Sequence, residues 1–308
     1  MPHKITLNIR NRNITLGERT LIMGVLNVTP DSFSDGGRHF AHENAIEHGI
    51  EMARQGADWI DVGGESTRPG SRSVPAEEEL RRVLPVIRAL HKRLPEVPIS
   101  IDTTKAEVAE EAARAGAAIL NDVSGLRFDP RLADVARRHG CALVLMHMRG
   151  RPETMQQKPF AKSIWRSVRS GLARSIRAAL AAGVRRSQLV IDPGLGFGKT
   201  REQNYELLAG LHRLESFRLP ILVGTSRKSF VRGVAQALLP GQGKITAKSG
   251  CAENLQSADA AAVVAAILGG AHIVRVHDVE ALLPAVRFAD AVKSSRQWAG
   301  RDRRSRAE

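Results

Sequence analysis

The sequence has few cysteines and few aromatic side chains, and it contains no long uncharged hydrophobic run. Only two cysteines, Cys141 and Cys251, occur among 308 residues, so neither a disulfide framework nor a cysteine-rich metal site can form. No segment approaches the roughly 18 to 20 apolar residues of a membrane-spanning helix, and residues 1–10 lack the apolar core of a signal peptide. These absences predict a soluble protein of the cytoplasm.

The chain carries a formal net charge of +14, which indicates an anionic partner. Charge alone does not choose between a nucleic acid and a phosphorylated small molecule. Aromatic residues make up 4% of the chain, and no run interleaves them with Lys or Arg as a base-stacking surface would. Part of the charge lies in residues 294–308, a basic tail that we expect to be disordered. The sequence therefore predicts small-molecule substrates and no nucleic-acid partner.

Short apolar runs alternate with helical patterns along most of the chain. Eight strands can be counted from Leu21 onward, each followed by a helix, and an alternating stretch before them predicts a β-hairpin. This regularity is typical of a parallel (β/α)8 barrel rather than an open sheet. We predict one α/β TIM-barrel domain over residues 1–293 with an N-terminal hairpin. The segment from Leu239 to Gln256 interrupts the pattern and is interpreted as an inserted loop or a frayed helix start.

The first barrel strand leads into a polar loop, residues 27–37, in which Pro30 and the pair Gly36-Gly37 prevent regular structure. Six side chains of this loop carry oxygen atoms: Asn27, Thr29, Asp31, Ser32, Ser34 and Asp35. Such a loop can hold a hard metal ion, cover an anionic substrate, or form a solvated turn. The loop alone does not choose between these interpretations.

Polar side chains also follow the other barrel strands, and in a parallel barrel these carboxyl ends form one mouth, where the chemistry of the fold is located. Asp102 and Asp192 stand where a carboxylate can accept hydrogen bonds from the amide-like edge of a flat heterocycle. Met146 and Phe197 can be core residues or the apolar wall of a pocket. The pattern therefore predicts a ligand site at the mouth.

Arg275 and His277 lie two residues apart on the last strand and so point to the same side. Together with Arg68 they can clamp a phosphate or diphosphate. Asp122 is interpreted as a helix N-cap, and His147 as a packed, hydrogen-bonded histidine. No set of His, Cys and carboxylate residues has the spacing of zinc ligands.

Six segments together resemble the dihydropteroate synthases, pterin-binding enzymes of the bacterial folate pathway. They are Asn-Val-Thr-Pro-Asp-Ser-Phe-Ser-Asp-Gly-Gly (27–37), Asp-Val-Gly-Gly-Glu-Ser-Thr-Arg-Pro-Gly (61–70), Leu-Met-His-Met (145–148), Asp-Pro-Gly-Leu-Gly-Phe-Gly-Lys (192–199), Ser-Arg-Lys-Ser (226–229) and Arg-Val-His-Asp (275–278). The resemblance covers about residues 20–293. It implies a transferase that joins 6-hydroxymethyl-7,8-dihydropterin diphosphate to 4-aminobenzoate, giving 7,8-dihydropteroate and diphosphate.

The resemblance also implies roles for individual residues. The pterin would contact Asp102, Asn121, Met146, Asp192, Phe197, Lys228 and Arg275. The diphosphate would contact Asn27, Arg68, Arg275 and His277, with Mg²⁺ bridging it to Asn27. The 4-aminobenzoate would pack near Phe33, Thr67, Pro69 and Phe197, with its carboxylate at Ser229. The implied catalytic residues are Asp35, Lys228, Arg275 and His277, and the implied assembly is a homodimer.

Two other functions share some of these features. A pterin-barrel methyltransferase acting on methyltetrahydrofolate would use the same ring contacts, but the diphosphate clamp and the loop 27–37 argue against it. A non-catalytic anion or nucleic-acid binder would use only the basic surface. Release of diphosphate distinguishes the synthase from both.

Overall fold

The structure, a computed structural model, describes residues 4–10, 12–29, 38–66, 70–71, 73–157, 159, 161–237 and 249–305. Within helices, the side chains of residues 38–41, 234–237, 249–253 and 296–305 are not described.

Eight parallel strands form the central sheet. They are β3 (Leu21–Asn27), β4 (Trp59–Gly63), β5 (Ile99–Asp102), β6 (Ile119–Asp122), β7 (Ala142–Met146), β8 (Leu189–Asp192), β9 (Leu222–Gly224) and β10 (Ile273–Val276). The strand order is β8-β7-β6-β5-β4-β3-β10-β9, and a parallel bridge between Ile191 and Ile221 joins the two ends. The predicted barrel is therefore confirmed.

The predicted N-terminal hairpin is also present. Strands β1 (Ile5–Ile9) and β2 (Arg12–Leu16) pair antiparallel, with Ile5 opposite Leu16. Its apolar side chains pack in one buried cluster with Leu21, Trp59 and other residues of the barrel strands. Because these residues include the first positions of several strands, the hairpin covers the amino-terminal end of the barrel, away from the mouth.

Helices surround the barrel. They are α1 (Arg38–Arg54), α2 (Ala76–Arg93), α3 (Ala106–Ala115), α4 (Leu132–His139), α5 (Ile164–Ala181), α6 (Arg201–Ala209), α7 (Ser229–Ala237), α8 (Ser249–Leu268) and α9 (Val279–Ser305), with 3-10 turns at Arg186–Gln188 and Leu211–Phe217. Each buries an apolar face against the strands; α2, for example, buries Val83, Val86, Ile87 and Leu90 at helical spacing. Among the described residues, no helix combines the length and apolar character needed to cross a membrane.

Two predicted segments differ from the structure or lie partly outside it. The segment 239–256 is described only from Ser249, where α8 begins, so its last residues are helical and residues 238–248 lie outside the described part. The structure continues α9 to Ser305, through most of the tail for which the sequence predicts disorder. Arg, which favours helices, occurs four times in residues 294–305.

Candidate active site

The carboxyl ends of the barrel strands place polar side chains around one mouth. Because the eight strands run parallel, these ends meet at the same edge of the barrel. Six residues predicted from the sequence lie there in buried or half-buried positions: Asn27, Asp102, Asn121, Met146, Asp192 and Arg275. The structure therefore brings these predicted site residues to one end of the molecule.

Arg275 of β10 joins four strands through a polar network. Its Nε atom donates to Oδ2 of Asp61 at 2.6 Å, and its Nη2 atom donates to Oδ2 of Asp102 at 2.8 Å. Asn121 donates through Nδ2 to the same Oδ2 atom of Asp61 at 2.9 Å. These bonds fix the guanidinium group against β4 and β5, and Asn121 links β6 to the carboxylate of Asp61. Among the described residues, two of its five N–H donors have partners, which leaves three for a ligand.

Asp61 was missing from the predicted site residues. It lies inside β4 between Ile60 and Val62, and its side chain is fully buried. A buried carboxylate is costly unless a cation or hydrogen-bond donors compensate it, and Arg275 and Asn121 provide both. The signal in the sequence was an aspartate within an otherwise apolar strand.

Asp102 at the end of β5 is a buried carboxylate with one free acceptor atom. Burial raises the pKa of Asp102 to about 7; the charge of Arg275 lowers this pKa, and the neighbouring Asp61 raises it. Within the part of the chain that the structure describes, its Oδ1 atom has no hydrogen-bond partner. Buried acceptors are normally paired, so this atom is suited to accept an N–H donor from a ligand.

Asp192 and Lys228 form a second pair of opposite charges at the mouth. Oδ1 of Asp192 accepts from the backbone N–H of Gly194 at 2.6 Å; burial raises the pKa of this carboxyl group, and the charge of Lys228 opposes the shift. Burial lowers the pKa of Lys228 to about 8, again with opposition from Asp192. The ammonium group donates to the carbonyl of Leu195 and lies 4.7 Å from the ring centre of Phe197.

The glycine-rich loop after β8 packs tightly against the end of β7. Gly194 has φ +66°, and a Cβ atom there would lie 2.1 Å from the carbonyl oxygen of His147, so only glycine fits. The buried Lys199 ammonium donates to the carbonyls of His147, Gly194 and Phe197 at 3.1, 2.6 and 3.0 Å. These contacts hold the loop that connects Asp192 to Phe197.

An apolar cluster lies beside the polar residues. Val123, Met146, Met148 and Met155 are buried together, and Phe128 and Phe197 pack against them. Met146 and Phe197, predicted as core residues or as a pocket wall, thus belong to one surface next to the mouth.

Two predicted contacts follow β9 and β10. Ser229 is the first residue of α7 and so lies at a helix N-terminus, where backbone N–H groups favour an anion. His277 directly follows β10, and its Nδ1 atom lies 3.4 Å from the hydroxyl oxygen of Ser226. Arg275 contacts Asp61 and Asp102, whereas His277 contacts Ser226. The two residues predicted to clamp a diphosphate therefore have different partners.

Five predicted residues lie outside the described part of the chain: Phe33, Asp35, Thr67, Arg68 and Pro69. Their roles stay predictions. The loop 27–37 is described only as far as Thr29.

A cluster of charged side chains lies at the start of residues 63–72, the segment that follows β4. The ammonium group of Lys105 contacts the carboxylates of both Glu65 and Glu79. Oε2 of Glu65 also accepts from the backbone N–H of Val74 at 3.2 Å and from the hydroxyl of Ser73 at 3.3 Å. Glu65 therefore ties the start of the loop to the residues that follow it.

Two residues interpreted as structural have structural contacts. Asp122 accepts from the backbone N–H groups of Ser124 at 2.8 Å and Leu126 at 2.5 Å, so it caps the turn after β6. The predicted helix N-cap is wrong, because α4 begins only at Leu132. His147 is buried, and its Nε2 atom lies 3.3 Å from the hydroxyl of Ser167, which confirms a packed, hydrogen-bonded histidine.

The closed barrel and its polar mouth define a TIM-barrel enzyme, and the family described as pterin binding enzyme matches residues 23–277. The chain is 45% identical over 276 residues to the dihydropteroate synthase of Synechocystis sp., covering 90% of this chain and 91% of that protein.

Two solved structures are similar to this one. The dihydropteroate synthase of Clostridium difficile, in the presence of pteroic acid, has a TM-score of 0.79 and 45% identity, covering 90% of this chain and 98% of that one. The enzyme of Xanthomonas albilineans with 4-aminobenzoic acid has a TM-score of 0.82 and 40% identity, covering 94% and 99%. The chain belongs to the dihydropteroate synthase family. The predicted resemblance is confirmed, and the methyltransferase alternative is not favoured.

Proposed function

We propose that the chain binds 6-hydroxymethyl-7,8-dihydropterin diphosphate in the barrel mouth and transfers its pterin methylene group to the amino group of 4-aminobenzoate. The products are 7,8-dihydropteroate and diphosphate. The observation that carries this assignment is the buried network in which Arg275 joins Asp61 and Asp102. The pteroic acid of the Clostridium difficile structure, in which a pterin is joined to 4-aminobenzoate, supports it.

The mouth offers hydrogen-bond partners suited to a pterin ring. Its amino and amide N–H groups need acceptors, and the free Oδ1 atom of Asp102 and the carboxylate of Asp192 provide them. The amide of Asn121 and the ammonium of Lys228 can donate hydrogen bonds to the ring atoms that act as acceptors. The apolar surface that includes Met146 would lie against the ring face. A flat heterocycle with both donors and acceptors on its edge matches this set.

Asn27 fits the predicted Mg²⁺ contact. It ends β3 at the barrel mouth, its side chain is half-buried, and its Oδ1 atom lies near Gly63 at the end of β4. Among the described residues, no group of three His, Cys, Asp or Glu side chains could hold a metal by itself. Mg²⁺ commonly binds through one or two protein oxygens together with substrate phosphates, and a single amide oxygen suits that arrangement. The bound ion would neutralise charge on the departing diphosphate.

The reaction needs no protein nucleophile. We propose that the bond between the pterin methylene carbon and the diphosphate oxygen breaks first, with the positive charge delocalised into the ring. The amino group of 4-aminobenzoate then attacks the methylene carbon and loses a proton. The free N–H donors of Arg275, with His277 and Arg68, would stabilise the leaving diphosphate, and Asp35 would stabilise the cation. Catalysis thus rests on positioning and electrostatic stabilisation.

Chelation of the metal tests this mechanism. With both substrates present, we expect 7,8-dihydropteroate and diphosphate to form in equal amounts, and EDTA to lower the rate by at least about 100-fold, because a Lewis acid contributes several kcal/mol of transition-state stabilisation. Excess MgCl2 should restore the rate. Product formation measured by chromatography provides the readout, and an unchanged rate in EDTA would remove Mg²⁺ from the mechanism.

We also propose that the protein is a cytoplasmic homodimer. The low cysteine content supports a reducing compartment. Phe288 on α9, 65% exposed, is a large apolar side chain outside the core and supports a contact surface on that side of the barrel.

A further inference from the structure

The turn after β9 has an unusual backbone conformation next to two predicted substrate contacts. Arg227 has φ +59°, in the left-handed region that side chains other than glycine, Asn and Asp rarely adopt. Lys228 and Ser229 follow it directly. A strained residue of this kind persists only where neighbouring groups hold it in place.

Asp259 of α8 provides those contacts. Both of its carboxylate oxygens lie 3.0 Å from the backbone N–H of Arg227, and Oδ2 accepts the hydroxyl of Ser226 at 3.2 Å. The side chain is only 5% exposed, so water competes little for these bonds. A carboxylate that accepts from backbone N–H groups forms stronger hydrogen bonds than a neutral acceptor. The backbone of the turn is thus fixed from a helix that is distant in sequence.

The same contacts extend to the end of β10. Oγ of Ser226, while donating to Asp259, lies 3.4 Å from Nδ1 of His277 and 3.5 Å from its backbone N–H. Because the hydroxyl proton points to the carboxylate, the hydroxyl oxygen is left to accept from the histidine. Asp259 therefore contacts, directly or through Ser226, the two segments that carry Lys228 and His277.

We propose that Asp259 is a positioning residue for the transfer reaction. It holds the turn 225–228 in its left-handed form, which sets the place of the Lys228 ammonium, and it orients His277 through Ser226. It touches no reacting atom itself. This inference rests on the proposed roles of Lys228 at the pterin ring and His277 at the diphosphate.

Steady-state kinetics of Asp259→Asn, with a matched control on the same helix, test the proposal. The Asn side chain keeps one acceptor oxygen but places an NH2 group where the second acceptor was. We expect kcat/KM for the pterin diphosphate, at saturating 4-aminobenzoate, to fall by about 10- to 100-fold. The control is Val263→Ala, which removes a fully buried side chain one turn further along α8. It should lower the melting temperature and leave kcat/KM within about twofold.

The effects of Ser226→Ala and Asp259→Asn should not add in the double variant, since both residues act through one network. Equal kcat/KM values for Asp259→Asn and Val263→Ala would overturn the proposal, as would full additivity with Ser226→Ala. Lys228→Met, measured in the same assay, distinguishes a failure of the positioning role from a failure of the proposed function. If Lys228→Met lowers kcat/KM and Asp259→Asn does not, only the positioning role of Asp259 is refuted. If neither variant lowers kcat/KM, the proposed function of this site is refuted.

Discussion

Replacement of Arg275 by Met is expected to lower kcat/KM for the pterin diphosphate by about 1000-fold or more. The guanidinium group holds Asp61 and Asp102 in place and keeps N–H donors free for the leaving diphosphate. Removal of one preorganised donor at a site of developing charge costs about 100- to 1000-fold, and Arg275 combines that role with the placement of two carboxylates. Turnover at saturating 4-aminobenzoate measures the effect.

The same variant should show a stability defect that grows with pH. Loss of one partner of a buried ion pair costs about 3–5 kcal/mol when the other stays charged. Without Arg275, the pKa of Asp102 would rise further above its unfolded value of about 3.9, so the protonated form is favoured in the folded protein. A group with a raised folded pKa stabilises the fold at low pH, and this contribution is lost as the pH rises through the folded pKa.

Melting temperatures of Arg275→Met and of the wild type, measured below and above pH 7, therefore test how much the charge of Arg275 stabilises the buried carboxylates. The melting temperature of Arg275→Met should fall further below that of the wild type as the pH rises above 7. Arg275→Lys keeps a positive charge but lacks the planar fork that reaches two carboxylates, so it should recover stability more than activity. Wild-type kinetics in Arg275→Met would contradict the assigned role.

Replacement of Asp192 by Asn is expected to weaken binding of the pterin by at least about 100-fold. The carboxylate is buried at the end of β8, and Asn can still accept the N–H of Gly194, so the loop should keep its form. The ligand, however, would meet an amide donor where its own N–H group needs an acceptor. An unpaired buried polar group costs about 1–3 kcal/mol, and more where a charge is involved. Isothermal titration with the pterin diphosphate measures the loss.

Asp122→Asn is the matched control for this substitution. Asp122 is also a fully buried carboxylate at a strand end, but its oxygens accept from the backbone of Ser124 and Leu126. Its replacement should lower stability and leave pterin affinity unchanged. If Asp192→Asn binds the pterin as tightly as wild type, Asp192 does not contact the ring edge.

Local patterns in the sequence were sufficient to predict the barrel. Apolar runs and helical spacing depend on neighbouring residues, so the eight strands and the hairpin could be placed before their partners were known. The rule that parallel strands present their carboxyl ends at one edge then placed Asp102, Asp192 and Arg275 together. The names of the relatives agree with the family implied by the six motifs.

Contacts between distant residues could not be predicted in this way. Asp61 binds Arg275 across 214 positions, and its place within an apolar strand marks a buried carboxylate without revealing the partner. Asp259 contacts Ser226 from a helix 33 positions away, after a segment whose pattern was irregular. Asp122 was assigned to a helix N-cap because a helix follows the strand, but a tight turn comes first. In each case the contact partner of the residue depends on the tertiary fold and not on its neighbours in the sequence.

A crystal structure of this chain with a bound pterin tests whether the barrel mouth is the pterin site. We expect the ring to lie in the barrel mouth, with its N–H edge within hydrogen-bond distance of Asp102 and Asp192 and one face against Met146. The Arg275 contacts with Asp61 and Asp102 should remain. A pterin bound elsewhere, or one whose N–H edge faces solvent while these carboxylates stay unpaired, would show that Asp102 and Asp192 do not recognise the ring.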